Sequence, residues 1–118
     1  MAKIFVIHPV RNLSPEWRDG LTKYVETLEE RGHEVYFPIR DTEQNDRTGL
    51  NICCQNRKAI QEADEVHIAW DGKSQGCLFD LGMAFAFEKD EFCGYLKNDE
   101  LRDFCFFEKA QKNLNPFW

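Results

Sequence analysis

Short apolar runs alternate with helix-patterned segments along this chain, and that alternation restricts its fold more than any other feature. Lys3 to His8 is a compact β-rich run ended by Pro9 and reads as a buried strand. Ser14-Pro15-Glu16 is a helix start, with a capping hydroxyl, a proline at the first helical position and then an acid. Trp17, Leu21, Tyr24, Val25 and Leu28 follow at helical spacing, and Arg31-Gly32 closes the segment. His33 to Phe37 reads as a second strand stopped by Pro38, and the polar residues 39 to 49 as the longest loop. A second helix is expected from about Leu50 to Ala63, with the apolar stripe Ile52, Ala59, Ile60 and Ala63. Glu65 to Trp70 reads as the third strand. The helix expected from about Gly76 to Phe87 is apolar nearly all round, which predicts that it is buried. Phe92 to Leu96 reads as a fourth strand, and Asp103 to Leu114 as a last helix carrying Phe104, Phe107, Gln111 and Leu114. Such alternation implies a single α/β domain over residues 1–118, with a parallel sheet of four to five strands and helices on both faces.

Composition narrows the partners. A chain of 118 residues that is 42% hydrophobic can bury a core. Its net charge of −6 is spread over mixed acids and bases, with no basic stripe interleaved with aromatics, so a nucleic-acid duplex is not expected. The five cysteines are odd in number and form no C-x-x-C pair, which fits reduced thiols used as small apolar residues in the cytosol. His8, His33 and His67 are too scattered for a zinc site, and no metal or cofactor is expected. The N-terminal apolar run is too short for a signal peptide or a membrane span.

In parallel sheets ligands sit outside the carboxyl ends of the strands. Here those ends are His8 to Arg11, Pro38 to Gln44, Asp71 to Gly76 and the region after Leu96. The turn Asp71-Gly72-Lys73-Ser74-Gln75-Gly76 leads into a helix and offers unpaired N–H groups, a positive dipole end and the Ser74 hydroxyl to an anion; an ordinary helix cap would look the same. Asp80 falls in the first turn of that helix among Leu78, Phe79, Leu81 and Phe85. It is either an acid complementing the dipole or a carboxylate kept in a dry place for a task. Asn56 interrupts the second helix's apolar stripe, as a core asparagine bonded to backbone or as a side chain reaching a ligand. Arg11 can bind phosphate or lie solvated, and Arg40 and Asp41 can simply pair. Neither G-x-G-x-x-G after the first strand nor G-x-x-x-x-G-K-[ST] occurs, and the first strand ends in His8-Pro9 rather than in acids, which disfavours dinucleotide, P-loop and receiver folds.

Several of these segments together resemble the nucleoside 2-deoxyribosyltransferase family, including its members that hydrolyse the glycosidic bond of nucleoside monophosphates. The resemblance runs over roughly residues 3 to 96. It is carried by Lys3-Ile4-Phe5-Val6, by Gly32 to Pro38, by Asn56 to Asp64 and by Ser74-x-Gly76-x-x-Phe79-Asp80-Leu81-Gly82-x-Ala84. It implies a flavodoxin-like or Rossmann-like sheet, a nucleoside or nucleotide ligand and a homo-oligomer completed by a neighbour's C-terminal segment, for which Pro116-Phe117-Trp118 is suited. Position by position, Asp80 falls on the family's nucleophilic glutamate, Ser74 on the serine that holds a 5′-phosphate, and Arg11 near a phosphate-binding arginine. Asn56 falls where the family carries an aspartate that meets the base. The implied site is therefore Asp80 and Asn56 for chemistry, with His8, Arg11, Asp71, Ser74 and Gly76 for substrate. Two departures stand out. Asp80 is one methylene shorter than glutamate, and a displacement of ~1 Å can cost ~10²-fold in rate. Asn56 can hydrogen-bond a base but cannot protonate it. The implied activity is cleavage or transfer at an N-glycosidic bond; the alternatives are a nucleotide-binding module without turnover and a TIR-like NAD-processing domain.

Overall fold

In the computed structural model the described residues are 1–69, 73–97 and 100–106, with side chains described as far as residue 90. Strand β1 (Lys3–Ile7) leads to α1 (Pro15–Glu30), β2 (Glu34–Tyr36), the short α2 (Pro38–Asp41), α3 (Leu50–Glu62), β3 (Glu65–Ala69), α4 (Gln75–Ala86), β4 (Asp90–Lys97) and β5 (Glu100–Phe106). The strands form one sheet in the order β2-β1-β3-β4-β5. Neighbours are parallel from β2 to β4, and β5 joins antiparallel. This is the expected parallel sheet with helices on both faces, extended by one antiparallel edge strand.

Strand alternation divides the core. Ile4 and Val6 face α1 and pack with Leu21, Val25 and Leu28. Phe5 and Ile7 face the other way and pack with Ile60 of α3 and with Cys77, Leu81 and Ala84 of α4. After the exposed Lys3, the other four β1 side chains are at most 2% exposed, because a strand covered on both faces has no solvent side.

Local signals place α1 as its sequence implies. The Ser14 hydroxyl accepts from the Trp17 N–H at 3.2 Å, and Pro15 occupies the first helical position. At the other end Gly32 takes φ +92°, so that its N–H reaches Glu29 and the His33 N–H reaches Leu28, a Schellman closure.

Three expectations are corrected. The segment 39–49 is not loop throughout: Pro38–Asp41 forms a helical turn, held by the Asp41 carboxylate accepting from the Phe37 N–H at 2.8 Å. Helix α4 is not buried all round. Cys77, Leu81 and Ala84 line its inner stripe, whereas Leu78, Phe79 and Phe85 are 37%, 54% and 68% exposed. A helix in an outer layer has the sheet on one side only, so apolar composition alone does not bury its far face. Asp103 to Phe106 belongs to strand β5 rather than to a last helix; the rest of that expected helix, from 107 to 114, lies outside the described residues, as do Trp70 and Pro116-Phe117-Trp118.

Ser14→Ala is expected to remove one capping bond, destabilising the fold by about 1 kcal/mol. Thermal unfolding would show this as a loss of roughly 4 °C in Tm.

Candidate functional site

The chain runs from β1 outward to β2 on one side, then crosses back to β3 on the other. Where two such excursions part, the loops at the strand ends separate and leave a crevice. Here that crevice is a cleft of about 890 Å³. The segment after β1 supplies His8, Arg11 and Asn12, and α1 supplies Trp17. Pro38 and Gln44 come from the α2 region, Cys53 and Asn56 from α3, and Ser74, Gly76, Phe79 and Asp80 from the start of α4. The structure thus brings His8, Arg11, Asn56, Ser74, Gly76 and Asp80 to one cleft. Asp71 lies outside the described residues.

Asp80 is the only carboxylate among the described residues lining the cleft. Helix α4 begins at Gln75, so Asp80 is its sixth residue and sits in the second turn, not the first. The helix dipole acts mainly within the first turn, which leaves dipole complementation a poor account of this acid. Its nearest polar contact is Asn56, whose Nδ2 donates to Oδ2 at 3.4 Å. Burial pushes the Asp80 carboxyl from 3.8 up to about 7, and the Asn56 bond only partly opposes that rise.

Asn56 is itself 6% exposed, and it bonds neither backbone nor open space. Its Oδ1 accepts from the Thr42 hydroxyl at 2.8 Å while its nitrogen faces Asp80. Ser74 caps α4, accepting from the Cys77 N–H at 3.3 Å, as an ordinary cap would. A Cβ on Gly76 would stand 3.8 Å from the Ser74 Oγ, an ordinary contact.

His8 lines the cleft without being a cation. Its Nδ1–H donates to the Pro9 carbonyl at 2.8 Å, which leaves Nε2 to accept from the Ile39 N–H at 3.4 Å. Its ring meets Phe37 edge-on at 4.9 Å, and burial lowers its pKa to about 4. The cationic side chains of the cleft are Arg11, which is exposed, and Lys73. Arg40 pairs with Asp41 at 2.8 Å and with Glu29 at 3.1 Å, so it serves the fold.

Sequence reasoning missed Thr42, Gln44, Cys53 and Trp17. Cys53 was discoverable, since it lies one turn before Asn56 and therefore on the same side of α3. Thr42 and Gln44 sat in the polar segment with nothing to single them out. No three His, Cys, Asp or Glu side chains cluster as metal ligands among the described residues. None of the helices among them is long and apolar enough to cross a membrane.

The raised Asp80 pKa predicts its effect on stability. Between about pH 4 and 7 the folded chain keeps a proton that the unfolded chain releases, so this group makes stability fall as pH rises through that window. Asp80→Asn is therefore expected to raise Tm at pH 8 by about 4 °C or more. The gain should vanish towards pH 4 in paired melts; His8, whose lowered pKa weakens the fold as pH falls from 6.5 to 4, is common to both proteins and cancels.

Comparison with known proteins points one way. The family described as nucleoside 2-deoxyribosyltransferase matches residues 12–116. No curated protein matches the chain. Among solved structures, the CMP N-glycosidase BcmB of Clostridium botulinum superposes with a TM-score of 0.59 at 17% identity, over 95% of this chain and 81% of that one.

Proposed function

Because the chain belongs to the nucleoside 2-deoxyribosyltransferase family, we propose that it cleaves or transfers the N-glycosidic bond of a nucleoside 5′-monophosphate, with Asp80 as the nucleophile. The observation that carries this reading is the placement of a partly desolvated carboxylate in the same cleft as a capped helix start. A phosphate suits the helix N-terminus at Ser74 and Gly76, with Arg11 and Lys73 lining the same cleft. BcmB, similar in fold, is named for a nucleoside monophosphate, and the class agrees.

In this reading an Asp80 oxygen attacks the anomeric carbon, the carbon–nitrogen bond breaks, and the base departs with the bonding electrons and takes up a proton. Water or a second base then displaces the glycosyl ester and restores the carboxylate. A carboxyl held near 7 is a stronger base than an ordinary aspartate and must be ionised to attack. The shorter side chain is accommodated if substrate sits deeper against α4. The exposed apolar side of α4, at Leu78, Phe79 and Phe85, supports a homo-oligomer. The thiols of Cys53 and Cys54, which form no disulfide, suit the cytosol. Neither non-catalytic nucleotide binding nor NAD processing has an observation of its own in its favour.

The test is base release from a panel of nucleosides and their monophosphates, followed by chromatography. Asp80→Ala should abolish release, and undiminished turnover would exclude Asp80 as nucleophile. In the native protein kcat/KM should rise with pH to a plateau with a midpoint near 7, because the ionised carboxylate is the reactive form. Arg11→Met should raise KM for monophosphates by about tenfold, the loss of one charge-assisted phosphate contact. Free nucleosides should be nearly unaffected by that change.

A further inference from the structure

From Asp80 a line of hydroxyl and amide groups runs through the cleft-lining Asn56 to the half-buried Tyr36. The Tyr36 hydroxyl is 2.7 Å from Thr42 Oγ1, Thr42 Oγ1 is 2.8 Å from Asn56 Oδ1, and Asn56 Nδ2 is 3.4 Å from Asp80 Oδ2. Thr42 and Asn56 are 4% and 6% exposed, so water does not compete for the bond between them. The donor at each link follows from its neighbour. An ionised Asp80 only accepts, so Asn56 must turn its NH2 towards the carboxylate and its oxygen towards Thr42. Thr42 then spends its one proton on Asn56, which leaves Tyr36 to donate to Thr42. Reversing the amide would set two oxygens face to face at the carboxylate.

The backbone holds Thr42 for this. Its N–H donates to the Pro38 carbonyl at 2.9 Å, and its carbonyl accepts from Gln44 Nε2 at 3.2 Å. Gln44 Nε2 also donates to the Pro38 carbonyl at 2.9 Å, closing the turn. Tyr36 is fixed from β2, its ring stacked on Phe5 at 5.3 Å between centroids with an interplanar angle of 10°. Tyr36 thus rests on the sheet and Thr42 on the α2 turn, while α3 and α4 carry Asn56 and Asp80.

We propose that Thr42, backed by Tyr36, is a positioning residue that locks the Asn56 amide with its nitrogen towards Asp80 and so orients the carboxylate. This rests on the reading of Asp80 as the reacting group. It gives Asn56 a task within the protein, its oxygen accepting from Thr42 and one N–H donating to Asp80. His8, Arg11, Cys53 and Lys73 line the same cleft and stay unchanged in the variants below, so a change in Asp80 between them reports the amide.

The experiment follows the Asp80 carboxyl carbon by NMR through a pH titration, alongside base release. Thr42→Val keeps the shape and removes the donor. It should raise the Asp80 pKa by about half a unit to one unit, the scale of one net hydrogen bond. It should lower kcat about fivefold to tenfold with KM nearly constant, the same bond lost at the reacting group. Thr42→Ser keeps the hydroxyl and should titrate like the native chain. Tyr36→Phe preserves the stacking on Phe5 and should shift Asp80 in the same direction by less, and it carries the test should Thr42→Val not fold. Identical Asp80 titrations in native, Thr42→Val and Tyr36→Phe proteins would overturn the proposal, as would a shift in Thr42→Ser equal to that in Thr42→Val. A shift confined to the variants lacking a hydroxyl supports the relay even if the native protein releases no base from any substrate, a result that would remove only the glycosidic reading.

Discussion

Ile4, Phe5, Val6 and Ile7 are buried on both faces of the sheet, and the rest of the molecule is arranged around that fact. A strand without a solvent face needs a partner on each edge and a helix layer on each side. β2 and β3 take the two edges, α1 takes one face, and α3 and α4 take the other. Because β2 and β3 flank β1 on opposite sides, the connections leaving them diverge at their carboxyl ends. The cleft is the space left by that divergence, and every candidate site residue within the described chain lines it.

Placing a carboxylate there sets two demands against each other. Helix α4 buries Cys77, Leu81 and Ala84 to hold the sheet, and Asp80 is carried inward beside Leu81. Desolvation raises its pKa to about 7, which weakens the fold as pH rises from about 4 to 7 while making the ionised oxygen more basic. Asn56 offsets part of that desolvation, and Thr42 and Tyr36 keep its amide turned the right way. A polar line of this kind is stable only when every member has a partner, which explains why it begins at a phenol anchored on the sheet.

The resemblance implies an aspartate in place of the family's glutamate and an asparagine in place of its aspartate, which looks like a double loss when each position is taken alone. In the folded chain the two residues are hydrogen-bonded to each other. An aspartate at position 56 would set a second acid against a partly desolvated Asp80, whereas an amide donates to it.

Much of this was legible in the residues themselves. The strand and helix sequence, the Ser14 and Ser74 caps, the Gly32 closure and the sheet edge that carries the site follow from periodicity and capping chemistry, which are local. The singular position of Asp80 was also visible, because a lone acid among apolar residues is conspicuous at any register. Tertiary structure alone decided the rest. Thr42 is 38 residues from Asp80 in the chain and has no periodic pattern to mark it. The outer side of α4 reads as core by composition and lies open, because burial depends on what stands opposite. Asp103 to Phe106 has helical spacing yet pairs with β4, since a sheet edge offers backbone partners that helix spacing does not record. Local chemistry determined which residues could form the site, and only the packing of α2, α3 and α4 around the end of β1 decided which of them touch.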